Sequence, residues 1–247
     1  MKIIISPAKK LNSDKISVKN YSEVKFKSEA KSLVNKLKSL NIDDISKLMG
    51  ISKSLAELNF QRFQNWDLKS QNVNPALFMF NGDVYKALNV KNFKDDDLIF
   101  AQDNLRIISG LYGILKPLDL IFPYRLEMGT NLETEKASNL YKFWGNKLHD
   151  YMKSEMADDE ILIDLASDEY SKAINLDKFD HKVIKPIFKD YKNGKFKVIS
   201  FFAKKARGEM AKYIIKNKIS KYQDLKLFSS NGYSFSDEID NGIVFSR

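Results

Sequence analysis

Between Leu105 and Gly129 the chain reads LRIISGLYGILKPLDLIFPYRLEMG, and its two inner glycines, Gly110 and Gly113, place the tightest local constraint on the fold. Apolar residues follow a helical spacing on both sides of them. Upstream, Asp95 is placed to cap a helix holding Leu98, Ile99, Ala101, Gln102 and Leu105. Downstream, Ile114, Leu115, Leu118 and Ile121 recur at helical intervals, with Pro117 early enough for a first turn. Glycine inside a helix costs about 1 kcal/mol against alanine. A pair three residues apart therefore marks a turn, or a close approach of another group to the backbone. Helix, glycine turn, helix over about 96–122 is the general form of a helix-hairpin-helix module, whose backbone N–H groups face a DNA phosphate. A tight corner between two core helices fits the same pattern.

At 247 residues the chain has room for a sizeable core without covalent staples. It contains no internal repeat, linker or low-complexity segment, so a single domain over 1–247 is expected. The apolar start, MKIIISPAKK, is too short for a secretory segment, and no run approaches the roughly 18 apolar residues of a membrane span. A cytoplasmic monomer without a membrane partner is the expectation. The absence of cysteine excludes disulfides, thiolate metal sites, iron–sulfur clusters and thiol peroxidase chemistry. His149 and His181 are unpaired in sequence, which excludes a His-rich metal centre, and no cofactor or metal site is assigned. The formal charge of +9, from 41 Lys+Arg against 32 Asp+Glu, favours a polyanionic partner.

Lys2–Ile5 and Ile161–Leu165 read as short buried strands. Glu29–Leu40 carries an amphipathic helical stripe, Asp43 or Asp44 caps a short helix through Met49, and Ser52 caps another to about Phe63. Phe78–Phe80 looks like a strand meeting a turn at Asn81-Gly82, with a helix opening at Asp83. Tyr124–Gly129 is extended and Leu140–Met152 helical. Asn193-Gly194 is the strongest hairpin signal, joining Val183–Asp190 to Lys195–Phe202, with a helix from about Ala203 to Asn217 and a last strand or two in the tail. Buried strands, a hairpin and interspersed helices give an α+β fold on a mixed sheet.

Three loops follow strands and carry charge: Ser6-Pro7-Ala8-Lys9, Ser167-Asp168-Glu169 and Lys204-Lys205-Ala206-Arg207-Gly208. On one sheet, such loops can converge on one slot. From Lys204 to Lys221 seven basic residues face only Glu209, and three of them crowd a helix start, where the dipole disfavours positive charge. Anion binding explains that placement; a solvated basic helix is the plainer reading. Asp168 and Glu169 are candidate general acid and base, or cation ligands with Asp164. Helix capping and a lysine salt bridge are the alternative, because adjacent residues on an extended chain face opposite ways.

Taken in order, Ile5-Ser-Pro-Ala-Lys9, Phe80-Asn-Gly-Asp-Val-Tyr85, Ile108-Ser-Gly-Leu-Tyr-Gly113, Lys116-Pro-Leu-Asp119, Pro123-Tyr-Arg-Leu-Glu-Met128, Tyr141-Lys-Phe-Trp144, Leu165-Ala-Ser-Asp-Glu-Tyr170 and Phe202-Ala-Lys-Lys-Ala-Arg-Gly208 resemble the YaaA peroxide stress resistance family. The resemblance runs from Met1 to Phe245. It implies a cytoplasmic bacterial protein that limits hydrogen peroxide damage by lowering reactive iron, with an unusual α+β fold, a helix-hairpin-helix-like element and affinity for double-stranded DNA. By that resemblance Ser109, Gly110, Leu111, Tyr112 and Gly113 form the hairpin, and Lys9, Arg125, Lys204, Lys205, Arg207 and Gly208 belong to a positive slot around it. Asn81 departs from the more usual Lys or Arg at its position, removing one charge.

Three functions remain open on these grounds. One is a DNA-binding stress protein with little sequence preference; Gly113→Val is then expected to weaken binding more than loss of one surface lysine. Another is an enzyme acting on a nucleobase, nucleotide or N-glycosidic bond through Asp168 or Glu169. The third is a carboxylate iron binder built on Asp95–Asp97 or Asp158–Glu160. Carboxylates deep inside a basic slot favour the enzyme, and carboxylates turned away favour simple binding.

Overall fold

The computed structural model of the chain describes residues 1–16 and 18–247. Its strands are β1 (Lys2–Ile5), β2 (Asn74–Pro75), β3 (Leu105–Ser109), β4 (Gly113–Leu115), β5 (Leu120–Ile121), β6 (Leu162–Asp164), β7 (Val183–Lys192), β8 (Lys195–Lys197), β9 (Ser234–Ile239) and β10 (Gly242–Ser246). The helices are α1 (Lys27–Lys38), α2 (Ile42–Met49), α3 (Lys53–Gln64), α4 (Ala76–Met79), α5 (Asp83–Leu88), α6 (Asp95–Asn104), α7 (Leu140–Trp144), α8 (Lys147–Ser154), α9 (Asp168–Ser171) and α10 (Ser200–Asn217). The fold is α+β on a mixed sheet, as expected. Eight strands share that sheet in the order β4-β3-β1-β6-β7-β10-β9, with β8 pairing β7 off this path.

The five middle strands are all parallel, and β4, β8 and β9 attach antiparallel. Ile3, Ile4 and Ile5 are fully buried because β1 has a strand on each side and cover on each face. The chain leaving β1 reaches β3 on one side, and the chain leaving β6 reaches β7 on the other. β1 and β6 are neighbours, so their carboxyl ends diverge and open a crevice there. Open parallel sheets bind ligands at such a switch point.

Local sequence accounts for much of the helical layer. α1 buries Ala30, Leu33, Val34 and Leu37, one stripe of a 3.6-residue period. Ser52 caps α3 by accepting from the Leu55 N–H. For α2 the cap is Asn41, in a reciprocal box with Asp44, and neither acidic candidate holds that position. Asp95 lies inside α6, whose first turn is tied by the Lys94 N–H donating to the Asp97 carboxylate.

Three sequence expectations fail. The helix placed after Gly113 is instead β4 and β5, and Leu105 belongs to β3, which runs beside β1. Short apolar runs buried on every side carry no usable period, and β-branched Ile107 and Ile108 suit a central strand. A helix-hairpin-helix is therefore not what the stretch forms. Phe78–Phe80 is not a strand, because α4 takes Ala76–Met79 directly after Pro75. The hairpin at Asn193-Gly194 forms, but β8 stops at Lys197 and Ser200 already opens α10.

Asp119 pins the segment after β4. Its buried carboxylate accepts from Ser22 Oγ at 2.6 Å and from the Lys116 N–H at 2.8 Å. Burial outweighs those bonds and pushes its pKa up to about 6. A pKa raised on folding makes ionisation destabilising, so stability from this group is full below the unfolded value near 3.8 and lost as pH rises through about 6. Relative to wild type, Asp119→Asn should therefore gain up to about 3 kcal/mol between pH 4 and 7. Urea melts at both pH values test this, and a constant difference between the two proteins would rule it out.

Candidate functional site

The loops after β1 and β6 meet at the switch point, and Lys204 and Arg207 reach it from α10. A cavity of about 320 Å³ is lined by Ser6 to Lys10 after β1, by Leu165, Ser167, Glu169 and Tyr170 after β6, by Asn81–Lys86 and Glu127, and by Lys204 and Arg207 of α10. Hydrogen bonds fix the two strand-end loops to each other. Ser6 Oγ accepts from the Ser167 N–H at 2.9 Å, and Tyr85 OH donates to the Ser6 carbonyl at 2.9 Å. The Asn81 N–H donates to the Lys10 carbonyl at 2.9 Å, holding the start of α5 against the β1 loop.

The charges inside are paired in a definite way. Lys9 Nζ lies 2.6 Å from Glu127 Oε2, and Arg125, expected in the slot but set behind its wall, reaches the other Glu127 oxygen at 3.3 Å. Among the described residues the buried Arg125 Nε has no hydrogen-bond partner. Glu169 Oε1 accepts from the Gly129 N–H at 2.9 Å, and its carbonyl accepts from Tyr141 OH. Burial pulls the Arg207 guanidinium below its ordinary pKa, opposed by the nearby carboxylates of Asp164 and Asp168. Burial also raises the Tyr85 and Tyr170 hydroxyls, so both remain protonated donors at neutral pH.

The acidic candidates separate. Asp168 turns outward, its side chain 90% exposed and bonded to Lys185 Nζ at 2.5 Å, which holds its carboxyl below the usual range. It faces a different cavity. Asp164 is buried at the wall of that same second cavity, where burial raises its pKa while Ser171 Oγ and the Ala166 N–H donate to it. The carboxylates that line the slot are Glu169, Glu127 and, at the start of α5, Asp83. Glu127 was missed as a site residue, although alternation in the extended Arg125-Leu126-Glu127 places residues 125 and 127 on one side.

Ser109, Gly110, Leu111, Tyr112 and Gly113 do not reach the slot. The whole turn is buried: Ser109 Oγ accepts from the Tyr112 N–H, the Gly110 carbonyl accepts from Trp144 Nε1 at 3.1 Å, and Tyr112 OH accepts from Trp66 Nε1. Amides enclosed by core side chains cannot face a phosphate, which removes these five residues from the site and with them the expected effect of Gly113→Val on binding. Lys204, Lys205 and Arg207 also differ from expectation. α10 begins at Ser200, so they lie a turn inside the helix, where backbone N–H groups are already bonded; they act through side chains alone. Lys205 turns to a neighbouring groove and sits over the Phe201 ring at 4.3 Å. Gly208 is buried against α5.

Among the described residues, no three or more His, Asp or Glu side chains gather in a way that could hold a metal ion. The acidic runs are engaged elsewhere: Asp97 with Lys216 and Lys218, Asp95 with Lys19, and Glu160 with the N-terminal ammonium. No helix among them is long and apolar enough to cross a membrane.

Comparison with known proteins gives three findings. Residues 1–239 match the family model described as peroxide stress protein YaaA. A UPF0246 protein of Saccharophagus degradans is 46% identical over 254 residues, covering 100% of this chain and 99% of the relative. A UPF0246 protein of Aliivibrio fischeri is 44% identical over 256 residues, covering 100% and 98%.

Proposed function

The chain belongs to the peroxide stress protein YaaA family, and on that premise we propose that it serves peroxide stress by binding double-stranded DNA across the slot, with little sequence preference, and so limits iron-dependent damage to it. The convergence at the switch point carries this reading. Lys9, Lys10, Lys86, Lys204 and Arg207 line a cavity of about 320 Å³, at the small end of ligand sites and suited to one nucleotide turned out of a stack. Phosphates to either side meet the lysines. Without cysteine the protein has no thiol for reducing peroxide, and its two histidines lie within reach of backbone carbonyls, of Ile174 and Ala157. Protection then passes through what the protein binds.

The test is a fluorescence anisotropy titration of mixed-sequence duplexes between about 50 and 200 mM salt. Log affinity should fall linearly with log salt. Lys204→Ala should weaken all duplexes alike and reduce the slope by about one contact. Lys36→Ala, on α1 and facing a separate cavity, serves as the control. Affinity flat across that salt range, or an equal response to both substitutions, counts against the reading.

One observation favours a second reading, catalysis on the bound nucleotide. Glu127 and Glu169 point into a basic slot, where they would repel a phosphodiester backbone without serving it. In that case one of them is the acid/base acting on an N-glycosidic bond or a base, and Asp168 is not. Release of a base or nucleoside from damaged duplex by wild type, abolished in Glu169→Gln with binding retained, distinguishes the two.

A further inference from the structure

The polar groups lining the slot divide into those that the protein satisfies and those that it leaves over. Lys9 and Arg125 take the two oxygens of Glu127, and the Gly129 N–H takes Glu169 Oε1. Lys10, Lys86 and Lys204 are exposed, so water serves their ammonium groups. Asp83 stands at the rim, where the slot meets a neighbouring groove. Arg207 is different. Its guanidinium is half-buried, and among the described residues it donates no hydrogen bond and forms no ion pair. Asp164 and Asp168 attract it only through space, the first being bonded to Ser171 and the second to Lys185. A planar fork of five N–H donors, partly stripped of water and given no acceptor, costs free energy until a ligand supplies one. Glu169 Oε2 lines the same cavity and accepts from no donor among the described residues.

The donor fork and the acceptor line one cavity without pairing with each other. A phosphate would satisfy Arg207 and be repelled by Glu169. A ligand that satisfies both carries two acceptors on one edge and N–H donors on another. Among the bases, adenine N7 stands beside a donor and thymine O4 beside a methyl group, so neither offers the fork two acceptors there. Cytosine holds its acceptors and its amino group on one edge. A fork and a carboxylate serving that edge would sit side by side and bond to each other, which these do not. Guanine presents O6 and N7 together, with N1–H and the 2-amino group on the next edge. We infer that the slot is a guanine site, in which Arg207 donates to O6 and N7 while Glu169 accepts from N1–H and the 2-amino group. Pro7, Ala8, Val84 and Leu165 give the purine faces apolar walls. The inference rests on the nucleic-acid reading of the slot and names the nucleotide turned into it. Contacts to duplex phosphates stay unselective, because the lysines at the mouth meet the same backbone in every sequence.

The experiment is an anisotropy competition with duplexes of constant sequence that carry one unpaired guanine, adenine, cytosine or thymine, at one low salt concentration. Wild type should bind the guanine bulge at least about tenfold more tightly than the other three. Exchanging that guanine for 7-deazaguanine, which lacks the N7 acceptor, should cost wild type at least about fivefold. Arg207→Lys keeps the charge and loses the fork, so it should bind the two alike. Hypoxanthine, which lacks the 2-amino group, tests Glu169 in the same manner: wild type should bind it about fivefold less tightly than guanine, and Glu169→Ala should not tell them apart. Each ratio is taken on one folded protein, so a difference in stability between variants cancels. Lys36→Ala should keep every wild-type preference. Equal affinity of wild type for the four bulges, with duplex binding intact, overturns the guanine site and leaves the slot reading standing. A preference for another base, or a guanine preference that survives in Arg207→Lys, also overturns it. Absence of binding to any duplex by wild type overturns both.

Discussion

Gly110→Ala is expected to lower the stability of the protein by at least about 3 kcal/mol, or roughly 6–12 °C in melting temperature. A Cβ at this position would run into the Leu126 carbonyl oxygen and lie 3.1 Å from the Glu127 carbonyl carbon. Both obstacles are backbone, which cannot turn aside as a flexible side chain can. Trp144 Nε1 holds the Gly110 carbonyl from another direction, and the Tyr112 and Ser109 bonds fix the remainder of the turn. Relief must come from the extended segment that carries Arg125 and Glu127, so part of the strain should reach the slot. Denaturant melts measure the loss. A change under about 1 kcal/mol would mean that the segment moves freely and that the turn is not a rigid support.

Gly208→Ala should act on stability and on the slot together. The added Cβ would overlap the Val84 carbonyl oxygen and lie 2.8 Å from Ala87 Cβ, so α10 must move away from α5. Lys204 is one helical turn earlier on α10 and Arg207 is adjacent, so their positions depend on this contact. On the far side of it, Asn81–Lys86 forms another wall of the slot. A loss of about 2–3 kcal/mol in stability should accompany a fall in duplex affinity of at least tenfold, beyond that of Lys204→Ala alone. Wild-type affinity in a destabilised Gly208→Ala protein would show that the cations find their place without the close helix contact.

Much of the site was legible in the sequence because its parts are local. Strand ends followed by charge mark Ser6–Lys9, Ser167–Glu169 and the start of α10, and the first two leave adjacent strands as a shared slot requires. Ser52 and Asn193-Gly194 carry their conformations in their own chemistry. The stretch around Gly110 was misread because Ile114, Leu115, Leu118 and Ile121 fit a helix as well as a buried edge, and only the pairing of β4 with β3 and of β5 with β2 decides between them. The direction of Asp168 was hidden for a similar reason, since Lys185, which draws it outward, comes from the neighbouring strand β7 and only the pairing of β6 with β7 brings it there. Glu127 is recognised only once its neighbour Lys9 is known.

The parallel arrangement around β1 also governs the order in which the molecule can be made. Ile3 is synthesised well before its partners, Leu105 on one side and Ile163 on the other. Until both have been synthesised, β1 is an apolar segment with open edges, and contacts so distant in sequence form slowly. The cations of α10 arrive later still. No nascent fragment short of α10 therefore carries the complete basic slot, so binding capacity waits for that helix, and closure of the sheet waits for β9 and β10 after it. Over that long interval the strand Ile3-Ile4-Ile5 is the segment most exposed to mispairing with other chains, and conditions that slow translation or damage the emerging polypeptide should lower the yield of folded protein more than its final stability suggests.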